Sequence, residues 1–166
     1  MSIDDEIRDY LEALKKDPED IMAHNQLAAA YSKKDMIDEA ISQCKKALDI
    51  NPKYAPLHNT LGVAYQKKGM IDEAISEFNE AVANNPNYVV AYNNLGLAHL
   101  KKGMVDEAIC AFNEALAINP IYAAAHNHLA LAHYRLAIEH CSKAIELGFK
   151  VDTSSFESLS ESRDKA

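Results

Sequence analysis

Apolar residues recur along this chain at steps of three and four. Ile71, Ala74, Ile75, Phe78, Ala81 and Val82 follow the period of an amphipathic helix, and no segment alternates as a half-buried strand does. The interruptions are as regular as the stripes. Pro18, Pro52, Pro86 and Pro120 are each 34 residues apart, as are Gly62 and Gly96, and Gly69 and Gly103. Punctuation at a fixed period signals tandem repeats, so residues 21–54, 55–88 and 89–122 read as three full units, the last two sharing about 20 of 34 positions.

Each unit holds two helical stretches. The first ends at Lys-Lys-Gly or Lys-Lys-Asp, where Gly69 and Gly103 suit a left-handed C-terminal residue and Lys67 and Lys68 complement the helix dipole; Asp35 replaces glycine in the first unit. The second ends at Asn51–Pro52, Asn85–Pro86 or Asn119–Pro120, because the residue before proline is pushed out of helical geometry. Pro56 falls in a first helical turn, where its missing N–H costs nothing.

A 34-residue helix–turn–helix unit bearing Leu61, Gly62, Tyr65, Ala74, Phe78, Ala81 and Pro86 resembles the tetratricopeptide repeat. The match runs over about residues 3–147. The signature tryptophan is absent, its place taken by His24, His58, Tyr92 and His126; Ala28 and Ala130 stand at glycine sites, and Cys44 and Cys141 where an aromatic is usual. The resemblance implies an all-α, right-handed solenoid of stacked antiparallel helix pairs over residues 1–147, followed by a polar, Ser-rich tail at 148–166.

Both ends depart from the lattice. Ile7, Tyr10, Ala13, Leu14 and Pro18 occupy second-helix positions, so residues 3–16 read as a half repeat that caps the stack, with Ser2 and the acids Asp4, Asp5 and Glu6 suiting a helix N-terminus. In the unit beginning at 123 the spacing between the eleventh residue and the following Ala shrinks. Tyr31–Ala40, Tyr65–Ala74 and His99–Ala108 are nine apart, whereas His133 and Ala137 are four apart. The five missing residues are the turn itself. Asn127, Leu131, Tyr134, Ile138, Cys141 and Ile145 keep alternating steps of four and three, which favours one continuous helix over 123–147 rather than a tight kink. A continuous helix would leave Leu131, Tyr134, Ile138, Cys141 and Ile145 as an apolar stripe for self-association, giving a homodimer by helix pairing or exchange of terminal elements. The other reading has the tail folding back over it with Phe149, Phe156 and Leu159.

Charge narrows the functional classes. Seventeen Lys and Arg against 25 Asp and Glu give a formal charge of −8, which argues against nucleic-acid binding. No apolar run approaches the roughly 18 residues of a membrane span, so membrane insertion is not expected. Three cysteines without a CxxC pair suggest neither disulfides nor a zinc site, and the expected compartment is the cytoplasm. The pairs Asp38–Glu39, Asp72–Glu73 and Asp106–Glu107 repeat with the lattice in first helical turns, which is dipole chemistry rather than catalysis. His126, His133 and His140 lie seven apart, a spacing that suits packing better than metal ligation. The chain is therefore read as a non-enzymatic protein with no cofactor and no metal.

Solenoids bind along their concave face, which the resemblance assigns to the first helix of each unit. A peptide is the expected occupant. The fifth position is Asn25, Asn59, Asn93 and Asn127, an amide column able to pair with a peptide backbone or simply to tolerate a solvated face. The ninth and twelfth positions grow more apolar along the array, from Ala29 and Ser32 through Val63 and Gln66 to Leu97 and Leu100, and Val90 joins them. Lys33, Lys67, Lys101 and Arg135 hold the thirteenth position, either as a rail that would steer an acidic peptide or as ordinary charge at helix C-termini. Asn25, Val90 and Asn94 stand where the carboxylate-clamp subgroup of the family would be expected to carry cations.

Overall fold

The computed structural model describes residues 2–149 and contains eight helices among them. They are α1 (Ile3–Lys16), α2 (Ile21–Lys33), α3 (Ile37–Ile50), α4 (Ala55–Lys68), α5 (Ile71–Asn84), α6 (Val89–Lys102), α7 (Val105–Ile118) and α8 (Ala123–Glu146). The parts of the tail that carry Phe156 and Leu159 lie outside the described residues.

Each element begins and ends for a local reason. Ser2 and Asp5 form a reciprocal capping box at the start of α1, and the Asp20 carboxylate accepts from the Ala23 N–H at the start of α2. Gly69 and Gly103 close α4 and α6 with φ of 82° and 81°, the left-handed geometry in which glycine has no Cβ penalty. Asp35 does the same work after α2 with φ of 64°, the one non-glycine residue of positive φ among those described.

The pairs α2–α3, α4–α5 and α6–α7 are antiparallel hairpins. In each, a small residue of the first helix faces the twenty-fourth residue of the unit. A Cβ added at Gly62 would lie 2.6 Å from the Phe78 ring, and one at Gly96 would lie 2.4 Å from the Phe112 ring, so glycine lets the aromatic reach the helix backbone. The first unit solves the same contact with Ala28 and Cys44, both fully buried. Phe78, Phe112, Leu27, Leu57 and Leu61 form the fully buried centre, and each hairpin passes its core to the next through pairs such as Phe78 with Leu95.

First helices touch first helices: α2 packs on α4, α4 on α6 and α6 on α8, whereas α3, α5 and α7 do not touch one another. Unequal spacing of the two layers curves the array, with α2, α4, α6 and α8 on the inner, concave wall. At the other end α1 packs on α2 as a lone second-type helix.

The turn that separates the two helices of every other unit is missing after His133, and α8 continues as one helix of 24 residues, about 36 Å long. Its first half packs on α7, with Ala132 fully buried against Val105 and Phe112 and with Leu129 and Leu136 at the edge of that cluster. Leu131, Tyr134, Ile138 and Ile145 remain 44–58% exposed and Cys141 is half-buried.

Candidate functional site

The inner wall is assembled by hydrogen bonds between equivalent helices of neighbouring units. The Thr60 hydroxyl donates to Asn25 Oδ1 at 2.8 Å, Asn94 Nδ2 donates to Asn59 Oδ1 at 2.9 Å, and His128 Nδ1 donates to Asn93 Oδ1 at 2.8 Å. Each bond spans 35 residues, from the sixth position of one unit back to the fifth position of the unit before. Asn59 and Asn93 are buried and Asn25 half-buried, while Asn127, which has no following unit, is exposed. Three of the four column oxygens are thus occupied within the protein, and Asn127 stands open to solvent at the end of the column.

The cation column is divided in the same way. Lys67 donates to the Ser32 carbonyl and Arg135 Nη1 to the Leu100 carbonyl at 3.0 Å, each reaching back 35 residues to a carbonyl in the last turn of the preceding inner helix. Lys33 and Lys101 are exposed. Beside them the fourteenth-position lysines pair with the preceding second helix: Lys34 with Asp4, Lys68 with Asp38 at 2.7 Å and Lys102 with Asp72 at 2.6 Å. These exposed pairs add little stability. They do return acidic charge to the rim, and of the four exposed cations in the column Lys33 and Lys101 are those without a hydrogen-bond or ion-pair partner among the described residues.

The apolar positions offer the more open surface. Val90 is 39% exposed, Val63 and Leu97 are half-buried, and Leu131 and Tyr134 extend the stripe on α8, whereas Leu100 is buried in the contact with α7. Met22, the second-position residue of the first unit, is 62% exposed on the same wall. Its lattice position matches that of Val90, and this shared position was the signal available in the sequence. Val90 and Leu97, seven residues apart on α6, share a helical face at the middle of the array.

The histidines at the tryptophan position tie the hairpins to the preceding turn. The Nε2 atoms of His24, His58 and His126 donate to the carbonyls of Pro18, Pro52 and Pro120 at 3.0, 2.8 and 2.9 Å. On the other side of the ring, Nδ1 of His24 lies 2.8 Å from the Gln43 side-chain amide and that of His58 lies 2.8 Å from the Glu77 carboxylate. Burial holds His99 and His128 below the usual histidine range, and His128 also lies against the Phe112 ring with 5.6 Å between centroids. Burial, reinforced by the Glu77 charge, pushes the Cys44 thiol up to about 12. That shift keeps the Cys44 thiol protonated rather than nucleophilic. No group of three His, Cys, Asp or Glu able to hold a metal ion is found among the described residues, and none of their helices is long and apolar enough to cross a membrane. A separate cleft of about 520 Å³ lies outside the concave wall, between α1, α2 and α3, lined by Leu11, Leu14, His24, Gln43 and Ile50.

Family models described as tetratricopeptide repeat match residues 21–54 and 55–121, which together are the three full units. The chain belongs to the tetratricopeptide repeat family. No curated protein matches it. Among solved structures it is similar to MamA, at 29% identity over 84% of this chain and 85% of that one, with a TM-score of 0.70. It is also similar to the first tetratricopeptide repeat domain of human RPAP3, at 28% identity, covering 75% of this chain and 98% of that domain, with a TM-score of 0.71. The first such domain of Spaghetti (RPAP3), bound to the HSP90 peptide SRMEEVD, is 28% identical over 70% of this chain and 93% of that one, with a TM-score of 0.68. Tetratricopeptide repeat proteins are interaction modules, and this chain has the family's fold and its concave wall.

Proposed function

We propose that the protein is a non-enzymatic scaffold that docks an extended or short helical peptide of a partner protein along the concave wall. The observation that carries this is the solvent-accessible apolar run on the inner helices, with Met22 and Val90 exposed and Val63 and Leu97 half-buried, framed by Lys33 and Lys101. A partner segment with apolar anchors would bury these residues, and acidic residues beside the anchors would be steered by the lysines. The inter-unit bonds of Asn25, Asn59 and Asn93 keep the wall rigid before binding, which lowers the entropic cost of docking.

The occupant is expected to differ from the HSP90 peptide held by the similar Spaghetti domain. Asn25, Val90 and Asn94 replace the cations expected of a carboxylate clamp, and Asn94 is committed to Asn59. Titration with SRMEEVD should therefore give no saturable binding below about 100 μM. The direct test is affinity capture from the source cell with wild-type protein and with Val90→Asp/Leu97→Asp. A partner retained by the wild type and lost by a variant of unchanged melting temperature supports the groove; one retained equally by both places binding elsewhere.

The exposed stripe of α8 supports a second reading, self-association through Ile138, Cys141 and Ile145. It is compatible with the first, because the open part of the groove lies on α2, α4 and α6.

A further inference from the structure

The second half of α8 retains the residues of a second helix although it has no first helix of its own to pack on. Ala137, Cys141 and Ala144 occupy the positions of Ala108, Phe112 and Ala115, which are fully buried in the preceding unit. In α8 all three are half-buried, and their apolar neighbours Ile138 and Ile145 are exposed.

Two side-chain relationships recur inside the complete hairpins, and both are written into α8. The eighth and twenty-fourth residues of a unit pack together as Gly with Phe or as Ala with Cys. Gly62–Phe78 and Gly96–Phe112 are of the first kind, and Ala28–Cys44 is of the second, because a Cβ at the eighth position leaves no room for a phenyl ring. In the fourth unit these residues are Ala130 and Cys141, a matched pair of the second kind. The fourth-position histidine also meets the twenty-third residue, as His24 meets Gln43 and His58 meets Glu77. In the fourth unit these are His126 and His140, and His126 makes its Pro120 bond through Nε2, leaving Nδ1 for such a partner. On one helix, however, Ala130 and Cys141 are 11 residues apart and His126 and His140 are 14 apart, about 16 and 21 Å along the axis. Neither pair can form within a chain.

We propose that both pairs form between two copies of this chain, the second halves of their α8 helices being exchanged. This rests on the self-association reading above and assigns it a register. An antiparallel pairing that sets Ala130 against the second copy's Cys141 also sets Cys141 against the second copy's Ala130, with the two-fold axis near Arg135–Leu136. The same register brings His126 to the second copy's His140. Residues 137–147 of each copy then cover residues 126–134 of the other, restoring two complete hairpins. Deleting a hinge turn is a known route to such exchange, since a chain that cannot fold back on itself finds the same contacts on a neighbour. The contact is isologous, so it closes at two copies.

The test uses the full chain and three measurements. Light scattering coupled to size exclusion should give twice the 18.4 kDa chain mass at micromolar concentration. In a Cys110→Ser background, Ala130→Cys treated with diamide should yield a reducible covalent dimer through Cys141, whereas the same background without Ala130→Cys should not, because the two Cys141 residues lie about 16 Å apart. Inserting Gly-Met-Ile-Asp-Glu after Leu136 restores the turn and should convert the dimer to a helical monomer. A wild-type monomer at all concentrations overturns both the exchange and self-association. A wild-type dimer in which Ala130→Cys gives no cross-link, or in which Cys141 cross-links to its own counterpart, overturns the exchange alone. An insertion variant that stays dimeric with unchanged cross-linking also overturns it.

Discussion

Asn59 accepts, on its Oδ1, a hydrogen bond from Nδ2 of Asn94, the residue 35 positions later on the next inner helix. The asparagine column and the variable column beside it are therefore one feature. Thr60, Asn94 and His128 have little in common except a hydrogen-bond donor of suitable reach, and each donates to the asparagine of the unit before. Asn59→Ala removes a buried acceptor and leaves the Asn94 amide short of a partner. The expected loss is about 1–2 kcal/mol of unfolding free energy, measured by urea denaturation. Asn127→Ala, at the solvent-exposed end of the column, should change stability by less than about 0.5 kcal/mol. Equal losses in the two variants would count against the role assigned to the column.

Gly62 and Phe78 make a second coupled pair. A methyl group at residue 62 would meet the Phe78 ring at 2.6 Å, so Gly62→Ala must displace the ring or separate the helices, at a cost of about 1–3 kcal/mol. Phe78→Cys alone opens a cavity and should cost about 3 kcal/mol or more. The double variant recreates the Ala28–Cys44 arrangement of the first unit and should lose less than the sum by at least about 0.5 kcal/mol. A double-mutant cycle in chemical denaturation measures this directly, and strict additivity would mean the two positions are not exchanging volume.

The helical layout was legible in the sequence because prolines and glycines stop helices for reasons confined to a few residues. Pro52 and Gly69 needed no knowledge of the rest of the chain, and the five-residue gap between His133 and Ala137 was visible as arithmetic. What could not be read were the roles of side chains whose partners lie 19 or 35 residues away. Lys67 looked like a cation at a helix C-terminus and is one, yet the carbonyl it reaches belongs to Ser32 on the previous inner helix. The sixth-position residues Thr60, Asn94 and His128 share donor chemistry, but that chemistry shows as a column only once the asparagine 35 residues earlier is known to accept from each. Met22 does not stand out among the second-position residues in sequence, because exposure at a given lattice position changes along a curved array with a free edge at its first unit.

Asp35 holds a left-handed conformation that Gly69 and Gly103 adopt at the same place in later units. An L-residue with a Cβ pays for this geometry, although aspartate tolerates it better than most. Asp35→Gly should therefore stabilise the protein by about 0.5–1 kcal/mol, seen as a higher melting temperature. The reciprocal change, Gly69→Ala, meets no steric obstacle from neighbouring atoms and isolates the backbone term, with an expected loss of about 1 kcal/mol.

Two of the three thiols, Cys44 and Cys110, should separate cleanly in reactivity. Cys44 is fully buried with its thiol pushed up to about 12, so at pH 8 it has neither access nor thiolate. Cys110 is exposed on the outer face of α7 and should be alkylated within minutes by iodoacetamide or a maleimide. Cys44 should be modified only after denaturant is added. Mass spectrometry of the labelled peptides checks the order, and rapid native labelling of Cys44 would contradict the packing of the first hairpin.

His128 links acidity to the last inter-unit contact. Burial holds its imidazole below the usual histidine range in the folded protein, so the folded chain keeps it neutral at pH values where the unfolded chain, near 6.5, begins to take a proton. The unfolded state then binds more protons than the native state, and stability rises with pH across that window. This contribution should accordingly be complete above the unfolded value and be lost as the pH falls below it toward the lower folded value. His99, displaced in the same direction by burial, contributes with the same sign, moderated by Glu107 and aided by Lys102. His128→Gln keeps an amide donor within reach of Asn93 but cannot titrate. Urea midpoints at pH 7.5 and 5.5 should differ less in this variant than in the wild type, and an undiminished difference would remove His128 from the acid response.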